Sequence, residues 1–154
     1  MRVLVAVDPG KFHAGWCRFR GLRLIAAGIV RDLPTPWDVA YAVAEASELE
    51  SADIVVSESQ QAYARGPGNP NDLIPLAYAS GGVLALAQPT AIRKNPLPRQ
   101  WKGSTEKKIW TARIEAALAP YELAIIDAIG TTKKYRTDVL DAAGLGLWAL
   151  GRKI

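Results

Sequence analysis

The run Val3-Leu4-Val5-Ala6-Val7 most constrains what this chain can become. Apolar, mostly β-branched residues fill both alternations, so as a strand it needs cover on both faces, which points to a layered α/β architecture. The run stops at Asp8-Pro9-Gly10. Pro presets φ and Gly adds freedom, so one reading is a plain turn; the other is a carboxylate delivered to the end of a buried strand. A second stretch, Asp53-Ile54-Val55-Val56-Ser57-Glu58-Ser59, repeats the pattern of a short strand ending in an acid. If the two strands are parallel neighbours, Asp8 and Glu58 project from the same end of the sheet, where sites in open α/β sheets form.

Between them the sequence supplies the rest of a sheet and a cover. Trp16 to Arg20 alternates, Gly21 breaks it, and Leu22 to Val30 continues, so three strands form an antiparallel meander. Gly15 would leave room for DNA or a close-packed strand. Thr35-Pro36-Trp37-Asp38 announces a helix with Thr as N-cap and Asp in a capping-box place, running to about Glu50. Its acids, Asp38, Glu45, Glu48 and Glu50, read as a solvated face. Gln60 to Asp72 is a turn-rich loop in which Tyr63 and Arg65 are candidates to stack on or pair with a nucleotide, Tyr63 being equally readable as a buried anchor. Leu73 to Ala87 reads as an apolar helix whose small residues, among them Gly81 and Gly82, suit either core packing or a dimer face.

Bulk properties narrow the class. At 154 residues the chain fits one domain, spanning 1–154, and its 49% hydrophobic and 22% charged residues exclude disorder and low complexity. Leu73 to Ala87 is too short and too interrupted for a membrane span, and the first apolar run meets Asp8 too early for a secretory signal, so a soluble, cytoplasmic protein without a membrane partner is expected. Cys17 is the single cysteine, which excludes an intrachain disulfide or a cysteine-based zinc site.

The net charge of +4 is unevenly spread: residues 1–90 carry seven Lys/Arg against nine Asp/Glu, whereas residues 91–154 carry twelve against six. The second half is therefore the candidate surface for an anionic partner such as nucleic acid. After a short strand at Thr90 to Lys94 and a rigid Asn95-Pro-Leu-Pro98, the segment Arg99-Gln-Trp101-Lys102-Gly103-Ser104-Thr105-Glu106-Lys107-Lys108 opens a helix to about Leu118, with Ser104 or Thr105 as cap. Lysines there oppose the helix dipole, so phosphate recognition explains them better than helix stability does; Trp101 beside Lys102 offers a stacking surface, and a solvated basic loop is the bland reading. Tyr121 to Ile129 is apolar and helical, followed by a mobile basic loop containing Lys133, Lys134 and Arg136. A last helix follows, capped by Thr137 and ending at Gly151. Asp138 and Asp141, spaced i and i+3, share a face that Ala142, Leu145 and Ala149 continue toward the sheet. Two acids adjoining an apolar face need hydrogen bonds, protons or cations, although a dipole role explains Asp138 alone.

Taken together, Val-Ala-Val-Asp8-Pro-Gly-Lys-Phe-His-Ala-Gly15, Val-Val-Ser-Glu58-Ser and Asp138-Val-Leu-Asp141-Ala-Ala-Gly-Leu-Gly-Leu resemble three motifs of the RuvC-type Holliday-junction resolvases, within the RNase H-like (retroviral integrase) superfamily. Trp101-Lys102 and Lys107 resemble its basic segment before a helix. The resemblance spans nearly the whole chain. It implies a mixed five-stranded sheet, three strands antiparallel and two parallel, flanked by helices; a homodimer; and Mg²⁺-dependent cleavage of branched DNA. Two departures, a short loop between Lys102 and Lys107 and an added segment 120–136, suit a small phage-type resolvase that acts on several branched structures.

On that footing Asp8, Glu58, Asp138 and Asp141 are the expected metal ligands and catalytic acids. Four neighbouring carboxylates cannot all stay ionised unaided, and oxygen donors favour Mg²⁺ or Mn²⁺. Two ions roughly 3.5 to 4 Å apart, bridged by Asp8, would serve in-line attack of water on a phosphodiester. Lys107 or Lys102 would steady the phosphate charge, and Tyr63, Arg65, Arg99, Trp101, Lys102, Lys108, Lys133, Lys134 and Arg136 would contact DNA. His13 is read as structural. Two other classes stay open: a branched-DNA-binding module whose acids are structural, and an exonuclease or RNA-processing nuclease of the same superfamily. An actin-like or sugar-kinase-like ATPase also opens on a strand ending in Asp and Gly, but needs two lobes and a longer chain.

Overall fold

The structure, a computed structural model, describes residues 1–61 and 69–154. Strand β1 (Val3–Pro9) lies at the centre of a five-stranded sheet, antiparallel to β2 (Ala14–Arg20) and parallel to β4 (Ile54–Ser57). Strand β3 (Arg23–Val30) pairs antiparallel with β2 and β5 (Ile92–Lys94) parallel with β4, giving the order β3-β2-β1-β4-β5. The expected mixed α/β sheet of three antiparallel and two further parallel strands is present.

Both faces of β1 are buried, as its sequence requires. Val5 and Val7 join Val55, Ala14 and Trp16 beneath α1 (Pro36–Ala46) and α2 (Leu73–Leu86). Leu4 and Ala6 join Cys17, Phe19, Ile54 and Val56 on the other face. That face is covered by α4 (Lys107–Ala117), α5 (Pro120–Asp127) and α6 (Lys133–Ala149). Within α2, a Cβ on Gly82 would stand 2.8 Å from the Ala40 Cβ, so this small residue serves the α1–α2 contact, while Gly81 faces open space.

Helix α1 is capped as expected: Asp38 N–H donates to Thr35 Oγ1, and the Thr35 hydroxyl donates to Asp38 Oδ2 at 2.6 Å. It ends at Ala46, short of Glu50. The buried Arg18 guanidinium claims the carbonyl oxygens of Ser47 and Glu48, and Glu48 turns to a left-handed φ of 52° before a 3-10 turn at Leu49–Ser51.

Two further boundaries differ. The basic segment is not one continuous helix but a single turn, α3 (Pro98–Trp101), followed by α4; Gly103 at φ 63° turns the chain between them. Neither Ser104 nor Thr105 caps α4, whose N-cap position is Glu106. The last helix begins at Lys133, so Lys133, Lys134 and Arg136 form its first turn rather than a loop. Thr137 lies inside it, with its hydroxyl donating back to the Lys133 carbonyl. Arg136 anchors this extra turn through Asp127 (3.0 Å) and Glu115 (3.1 Å). Among the described residues no helix is long and apolar enough to cross a membrane.

Candidate active site

Alternation along the strands decides where the acids go. Leu4 and Ala6 face α6, so Asp8 continues on that face; Ile54 and Val56 face the same way, and so Glu58 follows them. The parallel register, Val7 opposite Ser57, brings the two acids to adjoining positions at one end of the sheet. Glu58 lies just beyond β4, yet its backbone is fixed. Its N–H points to Val7 O at 3.4 Å, and its carbonyl accepts from Ser80 Oγ at 2.9 Å. Asn95 Nδ2 holds the Ser57 carbonyl at 2.7 Å and also reaches Ser80 Oγ.

Opposite them, α6 brings Asp138 and Asp141. Asp141 is buried and Asp138 half-buried. The helix can come this close because Gly15, the cross-strand partner of Asp8, has no side chain: a Cβ there would lie 2.5 Å from the Asp138 carbonyl. Gly15 thus leaves room for the acid-bearing helix, not for a strand or DNA.

The electrostatics follow from this crowding. Burial, then the negative charges of Asp141, Glu58 and Asp138, push the Asp8 carboxyl well above the usual carboxylate range, against the opposing pull of Lys102. Burial also raises Asp138, opposed by His13, Lys107 and Lys134. It raises Asp141 as well, with Lys102 and Lys107 opposing and the neighbouring acids adding to the shift. Three of the four acids turn to partners. Glu58 Oε2 accepts from the Trp101 indole N–H at 2.7 Å and lies 3.4 Å from Lys102 Nζ. Asp141 lies 3.7 Å from Lys107 Nζ, and Asp138 Oδ2 lies 3.2 Å from His13 Nε2. His13 Nε2 is thus the group that faces Asp138 Oδ2 from the β1–β2 turn. Among the described residues no group of three His, Cys, Asp or Glu side chains is drawn together closely enough to enclose one ion.

The basic candidates divide by role. Lys107, Lys108, Arg99, Lys133 and Lys134 are exposed, Lys107 and Lys102 being closest to the acids. Arg136 is committed to Asp127 and Glu115, so its charge serves the α4–α5–α6 junction rather than an open surface. Trp101 is 5% exposed, its ring packed into the interior and its N–H turned to Glu58. Tyr63 and Arg65 lie outside the described residues. Two partners of the acids escaped the sequence reading: His13, read as structural, touches Asp138, and Trp101 binds Glu58. The only sequence signal for His13 was its place five residues after Asp8, in the β1–β2 turn.

The sheet order and flanking helices define an RNase H-like α/β fold. More narrowly, the fold is that of the RuvC-type resolvases. RuvC of Thermus thermophilus aligns with a TM-score of 0.61 at 18% identity, over 97% of each chain. The same protein in complex with a Holliday junction substrate aligns with a TM-score of 0.59 at 20% identity, over 97% of this chain and 94% of that one. The yeast mitochondrial Holliday junction resolvase Ydc2 aligns with a TM-score of 0.59 at 11% identity, over 96% and 77%. No protein-family model and no curated protein sequence matches the chain.

Proposed function

We propose that this protein is a structure-selective endonuclease that nicks four-way DNA junctions, and other branched DNA, by metal-dependent phosphodiester hydrolysis. The observation that carries the reading is the placement of Asp8 and Glu58 at adjoining strand ends facing Asp138 and Asp141 on α6, within a RuvC-type fold.

The residues fit divalent cations: every acid donor is oxygen, the acids crowd and raise one another's pKa, and no described side chain pairs with Asp8. Asp8, Glu58, Asp138 and Asp141 would hold them, Mg²⁺ or Mn²⁺ suiting such hard donors. Bound there, the ions would supply positive charge to polarise the scissile phosphate and the attacking water. The chain's own part is to orient and to exclude. β1 and α6 hold three acids against a low-dielectric wall, and Lys107, exposed beside Asp141, would neutralise charge developing on a phosphate oxygen. Lys102 serves the same region from the Glu58 side. Arg99, Lys108, Lys133 and Lys134 offer exposed cations to the flanking backbone, contacts that fix register without reading sequence.

A homodimer would present two such sites to symmetric strands of a junction. An exposed aromatic face supports it: Trp37 of α1 stacks on Tyr78 of α2 at 5.1 Å, with Tyr41 and Ile74 also exposed. A cytoplasmic location agrees with this activity.

The pairing of Glu58, Asp141 and Asp138 with cationic or N–H groups favours one rival, a junction-binding module whose acids are structural. Nicking of a synthetic four-way junction in Mg²⁺ separates the two, with Asp8→Asn as the control. Metal-dependent nicks lost in the variant support the proposal; tight junction binding with no nicks under any divalent ion selects the rival. Linear duplex and structured RNA as parallel substrates would expose an exonuclease or RNA-processing activity instead.

A further inference from the structure

We infer that Trp101 is a positioning residue: its indole N–H fixes Glu58 Oε2 and so leaves Oε1 as the oxygen presented to a divalent cation. The inference rests on the nuclease reading above for its purpose, but on its own geometry for its content.

Glu58 follows the last residue of β4, so pairing within the sheet does not orient its side chain. What orients it is the 2.7 Å bond from Trp101 Nε1, with Lys102 Nζ 3.4 Å from the same oxygen. A hydrogen bond to an ionised carboxylate is about twice as strong as a neutral one. Among the described residues Oε1 has no partner.

The indole is itself immobilised. It packs edge-on against Trp110 at 5.6 Å and 70°, and the Lys102 ammonium lies 4.9 Å from its ring centre. On α6, a Cβ at Gly144 would stand 3.0 Å from Trp101 Cζ3. Gly144 is three residues beyond Asp141, so the ring that holds Glu58 rests on the helix that carries Asp141. Trp101 therefore couples the placement of two acids that are far apart in sequence. An indole N–H only donates and does not titrate, so its effect on chemistry must pass through Glu58.

A space-filling role would need only the ring, whereas positioning needs the N–H. Incorporation of 3-benzothienylalanine at position 101 replaces N–H with sulfur at nearly constant shape, and Trp101→Phe provides a second variant lacking the donor. Circular dichroism establishes folding, electron paramagnetic resonance measures Mn²⁺ binding to the DNA-free protein, and junction nicking is followed against Mn²⁺ concentration. Loss of a carboxylate's outer partner weakens metal binding by roughly tenfold or more. The expected result is a folded benzothienyl variant with that loss, and a half-saturating Mn²⁺ for nicking that rises in step while the rate at saturation is largely kept.

Folded variants that bind Mn²⁺ within about twofold of wild type overturn the inference, since losing a ligand's hydrogen-bond partner costs more than that. A wild type that binds no Mn²⁺ overturns it outright. A wild type that binds Mn²⁺ but never nicks junctions refutes the nuclease reading instead, and the binding comparison still decides the role of Trp101.

Discussion

The main chain of Asp138 rests on Gly15: a Cβ at residue 15 would meet the Asp138 carbonyl carbon and oxygen at 2.5 Å and Val139 N at 2.7 Å. Because Gly15 also pairs with Asp8, one missing side chain sets the distance between the central strand's acid and the helical acids. The neighbour is backbone within a helix and cannot swing aside. Gly15→Ala should therefore cost about 1–3 kcal/mol of stability, as overpacked cores do. It should also lower nicking more than it lowers junction binding. Thermal melting, a nicking assay and a gel-shift measurement check this; wild-type melting and nicking together would show that α6 shifts without consequence.

The acid cluster gives stability an unusual pH slope. Asp8, Asp138 and Asp141 all have folded-state pKa values raised above the ordinary value, so the folded chain binds more protons than the unfolded one in that window. Their contribution is full at acid pH, below the unfolded value, and is lost as pH rises through the raised folded values. Divalent cations should offset the loss. Mg²⁺ is expected to raise the melting temperature clearly at about pH 8, where the carboxylates are ionised, and little at about pH 4, where protons replace it. Asp8→Asn should melt higher than wild type without Mg²⁺ and gain less from it. Equal Mg²⁺ increments at both pH values would contradict this account.

Much of this arrangement can be read from the residues, because strand alternation is a short-range rule. Val3 to Val7 and Ile54 to Ser57 announce doubly covered strands; Asp8 comes one position after the first apolar run, still within β1, and Glu58 one position after β4. The partners are another matter. Trp101 and Lys102 look like a DNA-stacking pair in sequence, yet the turn of α3 buries the ring against Trp110 and directs its N–H to Glu58. Which way a side chain points after a four-residue helix depends on tertiary packing that no local pattern encodes. The start of α6 differs from the local pattern for a related reason. Gly130 and two threonines suggest a loop, but Arg136 reaches Asp127 and Glu115, partners 9 and 21 residues away, and the helix gains a turn.

The exposed face of α1 and α2 yields a separate expectation. Trp37 and Tyr78 are stacked within 19° of parallel while each is about half exposed, and Tyr41 and Ile74 extend the same apolar area. If this face joins two copies, Tyr41→Glu combined with Ile74→Glu should yield a folded monomer in sedimentation at micromolar concentration. Paired cuts on symmetric junction strands should then decay into single, uncoupled nicks. A variant that still sediments as a dimer would place the interface elsewhere, and a monomeric wild type would remove the dimer from the proposal.

Glu122 provides the opposite pH signature, away from the acid cluster. Its side chain is 1% exposed; it accepts from the N–H groups of Leu24 and Ala119 and from both terminal nitrogens of Arg152, at 2.7 and 3.0 Å. Burial alone would raise its pKa, but the Arg152 and backbone hydrogen bonds prevail and hold it below the usual glutamate value. A lowered folded-state value means stability that is present above the unfolded pKa and is lost as pH falls through the folded one. Arg152 also binds the carbonyls of Leu22 and Ala117, so the pair clamps β3, α4 and α5 together near the C-terminus. Arg152→Leu strands a buried carboxylate and should cost about 3–5 kcal/mol at neutral pH, as broken buried pairs do. The deficit should narrow in acid, where protonating Glu122 removes the unpaired charge. Denaturant melts across pH measure both, and a deficit that stays constant into acid would show that Arg152 acts through packing rather than through Glu122.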